Sequence, residues 1–375
     1  MNLFGRSSRR NTDAALTPDE DDWMLFTLKP RWWIGPLATA CLATPVCAQR
    51  TVTKLADGIY EIQWQGVHAS GNTTVIVGDR QVFVVDAGFL PSEAKDDIAQ
   101  VRQWTDKPVT FLLNTHFHND HNLANRTWMD AFPALTVVAH VETKKDMDLF
   151  GPGSLSREER SAAKYEQMLT TGKTPDGTAL SNDDKTQVKA YLVREHADIE
   201  QIRTITFQSA TLTFDHDFTI DLGHREVQIK FLGRGNTNGD AIVYLPREKI
   251  VIAGDLVVSP FPYFYDGYPT EWIQTMNRLA ELDATTIVPG HGAILHDKAF
   301  LYLIRDIMQS AVSQMTESLR KTGPAMFKTL DDVKGDVDLT PYRQRFAGND
   351  KDLGDRFDAM ATDLVRLVFR EAALR

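Results

Sequence analysis

The chain has 375 residues, with 41 lysines and arginines against 51 aspartates and glutamates, for a formal net charge of −10. Its 42% hydrophobic and 25% charged residues match a globular protein with a sizeable core, which excludes extensive disorder. The acidic balance lacks the basic excess that phosphate neutralisation demands, so no nucleic-acid partner is expected.

Residues 1–48 read as an N-terminal extension and signal peptide. Lys29 and Arg31 form a positive flank, Trp32 to Val46 is largely apolar, and Val46-Cys47-Ala48 ends in small residues of the kind a signal peptidase reads. The run is shorter than the roughly 20 apolar residues of a membrane helix, so no stable membrane span is expected after cleavage. The segment before Met24 is polar and acidic, which leaves Met1 and Met24 as alternative starts. Cleavage after Ala48 puts the mature chain, 49–375, in the periplasm or outside the cell. It also removes Cys41 and Cys47, the two cysteines of the sequence, so neither a disulfide nor a thiolate ligand is expected in the mature protein.

Strands are predicted at Asn72 to Val77 and Gln81 to Val85, the second ending in Asp86-Ala87-Gly88. Pro91-Ser92 opens a helix with Ile98, Val101 and Trp104 on one face, and Val109 to Leu113 and Thr136 to Ala139 are further strands. This alternation predicts an α/β layered fold. From about 141 to 206 the chain becomes charged and helical, which reads as an insertion, either a lid or a solvated excursion. Strands resume at Thr211 to Phe214, Phe218 to Leu222, Val227 to Leu232, Ala241 to Leu245 and Ile250 to Ala253. A helix follows the N-cap candidate Thr270, then a short strand at Thr285 to Val288. The C-terminal part, about 297–375, carries helices from about Lys298 to Leu319 and from about Leu353 to Ala373.

The chemistry concentrates in His116-Phe117-His118-Asn119-Asp120-His121, directly after an apolar strand. Imidazole and carboxylate are the ligands that borderline divalent ions prefer. His116 and His118 can point one way while Asp120 and His121 face a second point, so one loop can feed two adjacent metal positions. Asp255 and His291 each follow an apolar strand and lie beside a glycine, where an ion has room.

The sequence resembles the metallo-β-lactamase superfamily. The matching blocks, in the family's order, are Asp86-Ala87-Gly88, the run from His116 to His121, Gly233 to Asp240, Ala253-Gly254-Asp255 and Pro289-Gly290-His291-Gly292. The resemblance implies an αββα sandwich with metals at one edge of the two sheets, here with a helical insertion and a helical C-terminal extension. It implies His116 and His118 as ligands of the first metal, and Asp120, His121 and His291 as ligands of the second. Asp255 corresponds to the bridging aspartate, and Asp86 stands behind a ligand histidine. Asp255, where some branches use cysteine, resembles the glyoxalase II and lactonase branches.

One block departs from the family. Asn236 stands where a histidine usually completes the first metal site. An amide oxygen is a weaker zinc ligand than imidazole, which predicts an asymmetric site holding one or two zinc ions. Asn236 as a direct or water-mediated ligand, as a residue that orients substrate or water, and as the mark of an empty first position all stand open, with His68 or His224 as substitutes.

After Asp255 comes a loop dense in aromatics and prolines, in which Tyr263 and Tyr265 are expected to wall a substrate pocket. The predicted function is an exported metal-dependent hydrolase in which a zinc-activated water attacks the carbonyl of a small lactam, lactone, ester or thioester. Asp120 holds the metal and orients or deprotonates the water. The alternatives are an iron-dependent oxidoreductase on the same fold and a non-catalytic binding protein with a decayed first site. The oligomeric state is left open.

Overall fold

The structure, a computed structural model, describes residues 49–65, 70–175 and 177–374; the expected signal peptide, both cysteines and His68 lie outside them. Among the described residues, strands form two facing sheets. The first has the order β1 (Gln49–Ala56), β2 (Ile59–Gln65), β3 (Thr73–Val77), β4 (Val82–Val85), β5 (Val109–Leu113), β6 (Thr136–His140), β7 (Leu212–Phe214). It is antiparallel from β1 to β4 and parallel from β4 to β7. The second runs β12 (Thr286–Val288), β11 (Ile250–Ile252), β10 (Ala241–Leu245), β9 (Glu226–Phe231), β8 (Phe218–Asp221), with β11 and β12 parallel.

Strand periodicity builds the layers. In β4, Phe83 and Val85 face the second sheet while Val82 and Val84 face outward; in β10, Ala241, Val243 and Leu245 face inward and Ile242 and Tyr244 outward. Both faces of each strand are buried, which explains why these segments are continuous apolar runs. Helices α1 (Pro91–Trp104), α2 (Asn119–Asn122) and α3 (Asn125–Ala131) lie on the first-sheet side, where Ile98, Val101 and Trp128 join its outer apolar layer. The outer layer of the second sheet is closed by α7 (Pro269–Glu281), α8 (Ala299–Thr322), α9 (Thr340–Ala347) and α10 (Lys351–Ala373). The result is an αββα sandwich with a helical C-terminal region.

Between β6 and β7 come α4 (Val141–Phe150), α5 (Ser154–Thr171) and α6 (Asn182–Ile202). The α5–α6 pair has its own small core around Ala162, Met168, Val188 and Leu192. Two details differ from the sequence expectations. Strands β1 and β2 precede the first one expected. Helix α7 starts at Pro269 rather than behind Thr270, because proline lacks the N–H that the first turn leaves unpaired anyway. Thr270 instead donates its hydroxyl to Glu371 Oε2 at 2.7 Å, tying α7 to α10.

Candidate metal centre

The ends of three strands converge at one edge of the sandwich. β5 runs into the loop carrying His116 and His118, and α2 carries Asp120 and His121. β11 runs into a single 3-10 turn bearing Asp255, and β12 into Gly290-His291. Gly290 is required there: a Cβ on it would come within 1.9 Å of Asp255 Oδ1.

Among the described residues, two groups of side chains could hold a metal ion: His116, His118 and Asp255, and Asp120, His121 and His291, with the donor atoms of each group within 4.8 Å of one another. His116 Nε2 lies 3.0 Å from His118 Nδ1, and His121 Nε2 lies 3.1 Å from His291 Nε2. Asp255 joins the groups, with Oδ2 3.7 Å from His116 Nε2 and Oδ1 3.4 Å from His121 Nε2. His116, His121 and Asp255 are buried, while His118, Asp120 and His291 are partly exposed and form the open side.

The electrostatics of this cluster call for positive charge. Burial opposes ionisation of Asp120 and Asp255, yet His121 and His291 hold Asp120, and His291, His121 and His116 hold Asp255, well below the usual carboxylate range. Burial also disfavours a charged His121, but Asp120, Asp255 and Asp86 outweigh it and raise its pKa well above the ordinary value. Burial pushes His116 the other way, well below. Asp255 Oδ1 is buried without a hydrogen-bond partner. Imidazole nitrogens in contact, surrounded by carboxylates with an orphaned oxygen, are a donor set that fits a divalent cation.

Asp86 stands behind this set. Its Oδ2 lies 2.8 Å from His121 Nδ1 and accepts the Thr115 hydroxyl at 2.8 Å, while Oδ1 accepts the Thr115 N–H at 2.8 Å. Asn236 is buried and its Nδ2 has no hydrogen-bond partner. Its neighbours Gly235 and Thr237 donate their N–H groups to Asp240 Oδ2 at 3.0 and 2.8 Å, which sets the loop around it. Tyr263 packs edge-on to His291 with ring centroids 5.4 Å apart, and Tyr265 stacks on Tyr263 at 5.7 Å. Both tyrosines are partly exposed beside the cluster. His224, in the turn between β8 and β9, is not brought here; its backbone N–H donates to Asp79 in the turn between β3 and β4.

Other residues at the site were not anticipated from sequence. Thr115 orients Asp86. Asn119, between two candidate ligands, accepts from Ser154 at 2.9 Å and Arg157 at 3.2 Å, both on α5, so the insertion grips the histidine loop. Asn238 donates to Asp146 on α4 at 3.1 Å. Asp266, inside the aromatic loop, reaches His118. Asp266 was in plain view one residue after Tyr265, but nothing in its spacing marks it.

The profile of the metallo-beta-lactamase superfamily matches residues 68–291. The chain belongs to that superfamily. It is 24% identical over 290 residues to a linear primary-alkylsulfatase of Pseudomonas sp. (strain ATCC 19151), covering 72% of this chain and 52% of the relative, so the chain spans about half the length of that enzyme. It is also 24% identical over 278 residues to the metallo-beta-lactamase type 2 of Elizabethkingia meningoseptica, covering 70% of this chain and 89% of the relative. Among solved structures, a metallo-beta-lactamase from Pontibacter korlensis superposes with a TM-score of 0.50 at 18% identity, covering 70% of this chain and 99% of that one. These relatives are hydrolases, and the chain is a hydrolase-superfamily member with side chains able to bind metal. No helix among the described residues is long and apolar enough to cross a membrane.

Proposed function

We propose that this protein is an exported zinc-dependent hydrolase of a small-molecule substrate. The observation that carries the reading is the pair of His/Asp groups joined through the buried carboxylate of Asp255, whose Oδ1 accepts no hydrogen bond. His116, His118 and Asp255 would hold the first ion, and Asp120, His121, His291 and Asp255 the second. A divalent ion there supplies Lewis acidity and makes water acidic enough to lose a proton near neutral pH.

The chain's own groups do the rest. Asp86 accepts the Nδ1 proton of His121, which leaves Nε2 as the lone-pair donor and fixes the ring. Asp120, ionised and partly exposed, accepts and orients a proton of the attacking water. Tyr263 and Tyr265 present an aromatic wall beside His291 that excludes water from one side and packs against an apolar part of the substrate. Asn236, buried with its amide N–H unpartnered, would bind an ion through its oxygen or orient substrate.

A lactam, lactone, ester or thioester carbonyl is the expected reacting group. The alkylsulfatase relative adds sulfate esters as a second class, on the strength of similarity over 72% of the chain. Elemental analysis of the purified protein, with turnover of nitrocefin, a lactone, an aryl ester and an alkyl sulfate, tests both. The expected result is one or two zinc ions per chain, about two if Asn236 supports the first position and about one if it does not, with turnover of at least one carbonyl substrate. Turnover of the alkyl sulfate alone moves the reading to a sulfatase. Iron with oxygen uptake favours the oxidoreductase, and bound metal without turnover favours a binding protein.

A further inference from the structure

The loop between Asp255 and α7 brings a carboxylate to the outer side of His118. Asp266 Oδ2 lies 3.7 Å from His118 Nε2, and Asp266 Oδ1 lies 3.7 Å from Arg370 Nη1 on α10. The other ring nitrogen of His118, Nδ1, faces His116 Nε2 at 3.0 Å. His118 thus turns one nitrogen toward the first cluster and the other toward a carboxylate that an arginine holds from behind.

We propose that Asp266 is a positioning residue for the first metal position and that Arg370 couples it to the C-terminal helix. The inference rests on the metal-binding reading above. A carboxylate on the outer nitrogen of an imidazole fixes its tautomer with the proton on that side, locks the ring and strengthens the inner nitrogen as a donor. Asp86 does this for His121 in the second cluster. Asp266 is its longer-range counterpart in the first, an ion-pair contact at 3.7 Å rather than a hydrogen bond, while His116 has the Thr115 hydroxyl at 3.0 Å from Nδ1 rather than a carboxylate. The need is greater in that cluster, because the third block offers the amide of Asn236 in place of an imidazole.

The backbone ties these residues together. Gly267, with φ +106, lies so close to the Asn236 loop that a Cβ would come within 2.6 Å of Gly235 O and 3.3 Å of Asn236 Cα. Tyr268 N–H donates to Gly235 O at 2.9 Å. The loop carrying Asp266 is therefore packed directly on the loop carrying Asn236. On the other side, Glu371 accepts from the Thr270 N–H and hydroxyl at 3.2 and 2.7 Å, which seats Arg370 over the loop. Helix α10 lies beyond the residues that the superfamily profile matches, so this support for His118 comes from the chain's own C-terminal extension.

The test is a cobalt(II) titration of the metal-stripped full-length protein, followed by absorption and equilibrium dialysis, for wild type, Asp266→Ala, Asp266→Asn and Arg370→Gln. Asp266→Ala should weaken one bound equivalent by about 10–100-fold and leave the other unchanged. Asp266→Asn, which keeps a polar oxygen near Nε2 but loses the charge, should recover part of that loss, and Arg370→Gln should fall between. Should Asp266→Ala fail to fold, as judged by circular dichroism, the other two variants decide by the same readout. Wild-type affinity for every equivalent in the variants that fold, or equal weakening of both equivalents, overturns the inference. A wild-type protein that binds no cobalt overturns the metal-binding reading itself, and this inference with it.

Discussion

Asp86 holds His121 through a 2.8 Å contact between its Oδ2 and the ring Nδ1, and does so from a left-handed backbone conformation with φ 62. Few residues other than glycine adopt that conformation cheaply, and aspartate is one of them. The same carboxylate takes both donors of Thr115, so the loop before His116 and the ring of His121 share one anchor. Asp86→Ala should lower metal affinity by about 10–100-fold with the fold retained, as measured by zinc competition against a chromogenic chelator. Unchanged affinity would assign Asp86 to the turn alone.

Asn236→His restores the ligand type usual at that position. Imidazole is the stronger zinc donor, so the variant should retain more zinc through dialysis against a weak chelator. Equal occupancy before and after the substitution would count against an under-ligated first position.

Removing the aromatic wall should act on substrate rather than on metal. Tyr263→Ala and Tyr265→Ala should each raise KM by about tenfold, the equivalent of roughly 1.4 kcal/mol, while elemental analysis shows metal content near wild type. A collapse of thermal stability instead would assign the loop to packing.

Asp97 gives a pH-dependent stability far from the histidine cluster. Burial raises its carboxyl from 3.8 to about 7, against the opposing Trp64 N–H and Arg50 guanidinium. Between those values the folded state keeps a proton that the unfolded chain has lost, so this residue's contribution to stability falls as pH rises and levels off above about pH 7. Asp97→Asn keeps an acceptor for Trp64 and cannot ionise. Relative to wild type it should gain about 1–3 kcal/mol between about pH 4 and pH 8, read from urea unfolding at both values. A constant difference across that range would refute the assignment.

Much of this was legible in the sequence for identifiable reasons. Runs such as Ala241 to Leu245 are apolar because both faces of the strand are covered, and the histidine loop stands out because few structural roles gather so many ligands. Strands β1 and β2 carry a weak signal: β1 is the sheet edge, mostly exposed or half-buried with Thr53 and Lys54 side by side, and in β2 the buried Glu61 interrupts the apolar positions. The short helix α2 was hidden inside the ligand motif it carries. The Asp266–Arg370 pair and the grip of Ser154 and Arg157 on Asn119 join segments far apart in the chain. No local period records such pairings; only the folded topology brings them together.

The candidate ligands come from opposite halves of the sandwich. β5 and the loop after it supply His116, His118, Asp120 and His121, whereas β11 and β12 of the other sheet supply Asp255 and His291. An ion seated among them would act as a rivet between two plates that otherwise adhere through apolar side chains. Its occupancy then becomes part of the mechanical integrity of the molecule: at a thousandfold excess over Kd, such an ion adds about 4 kcal/mol against unfolding. Metal scarcity would loosen the seam between the sheets as well as silence the chemistry at its edge.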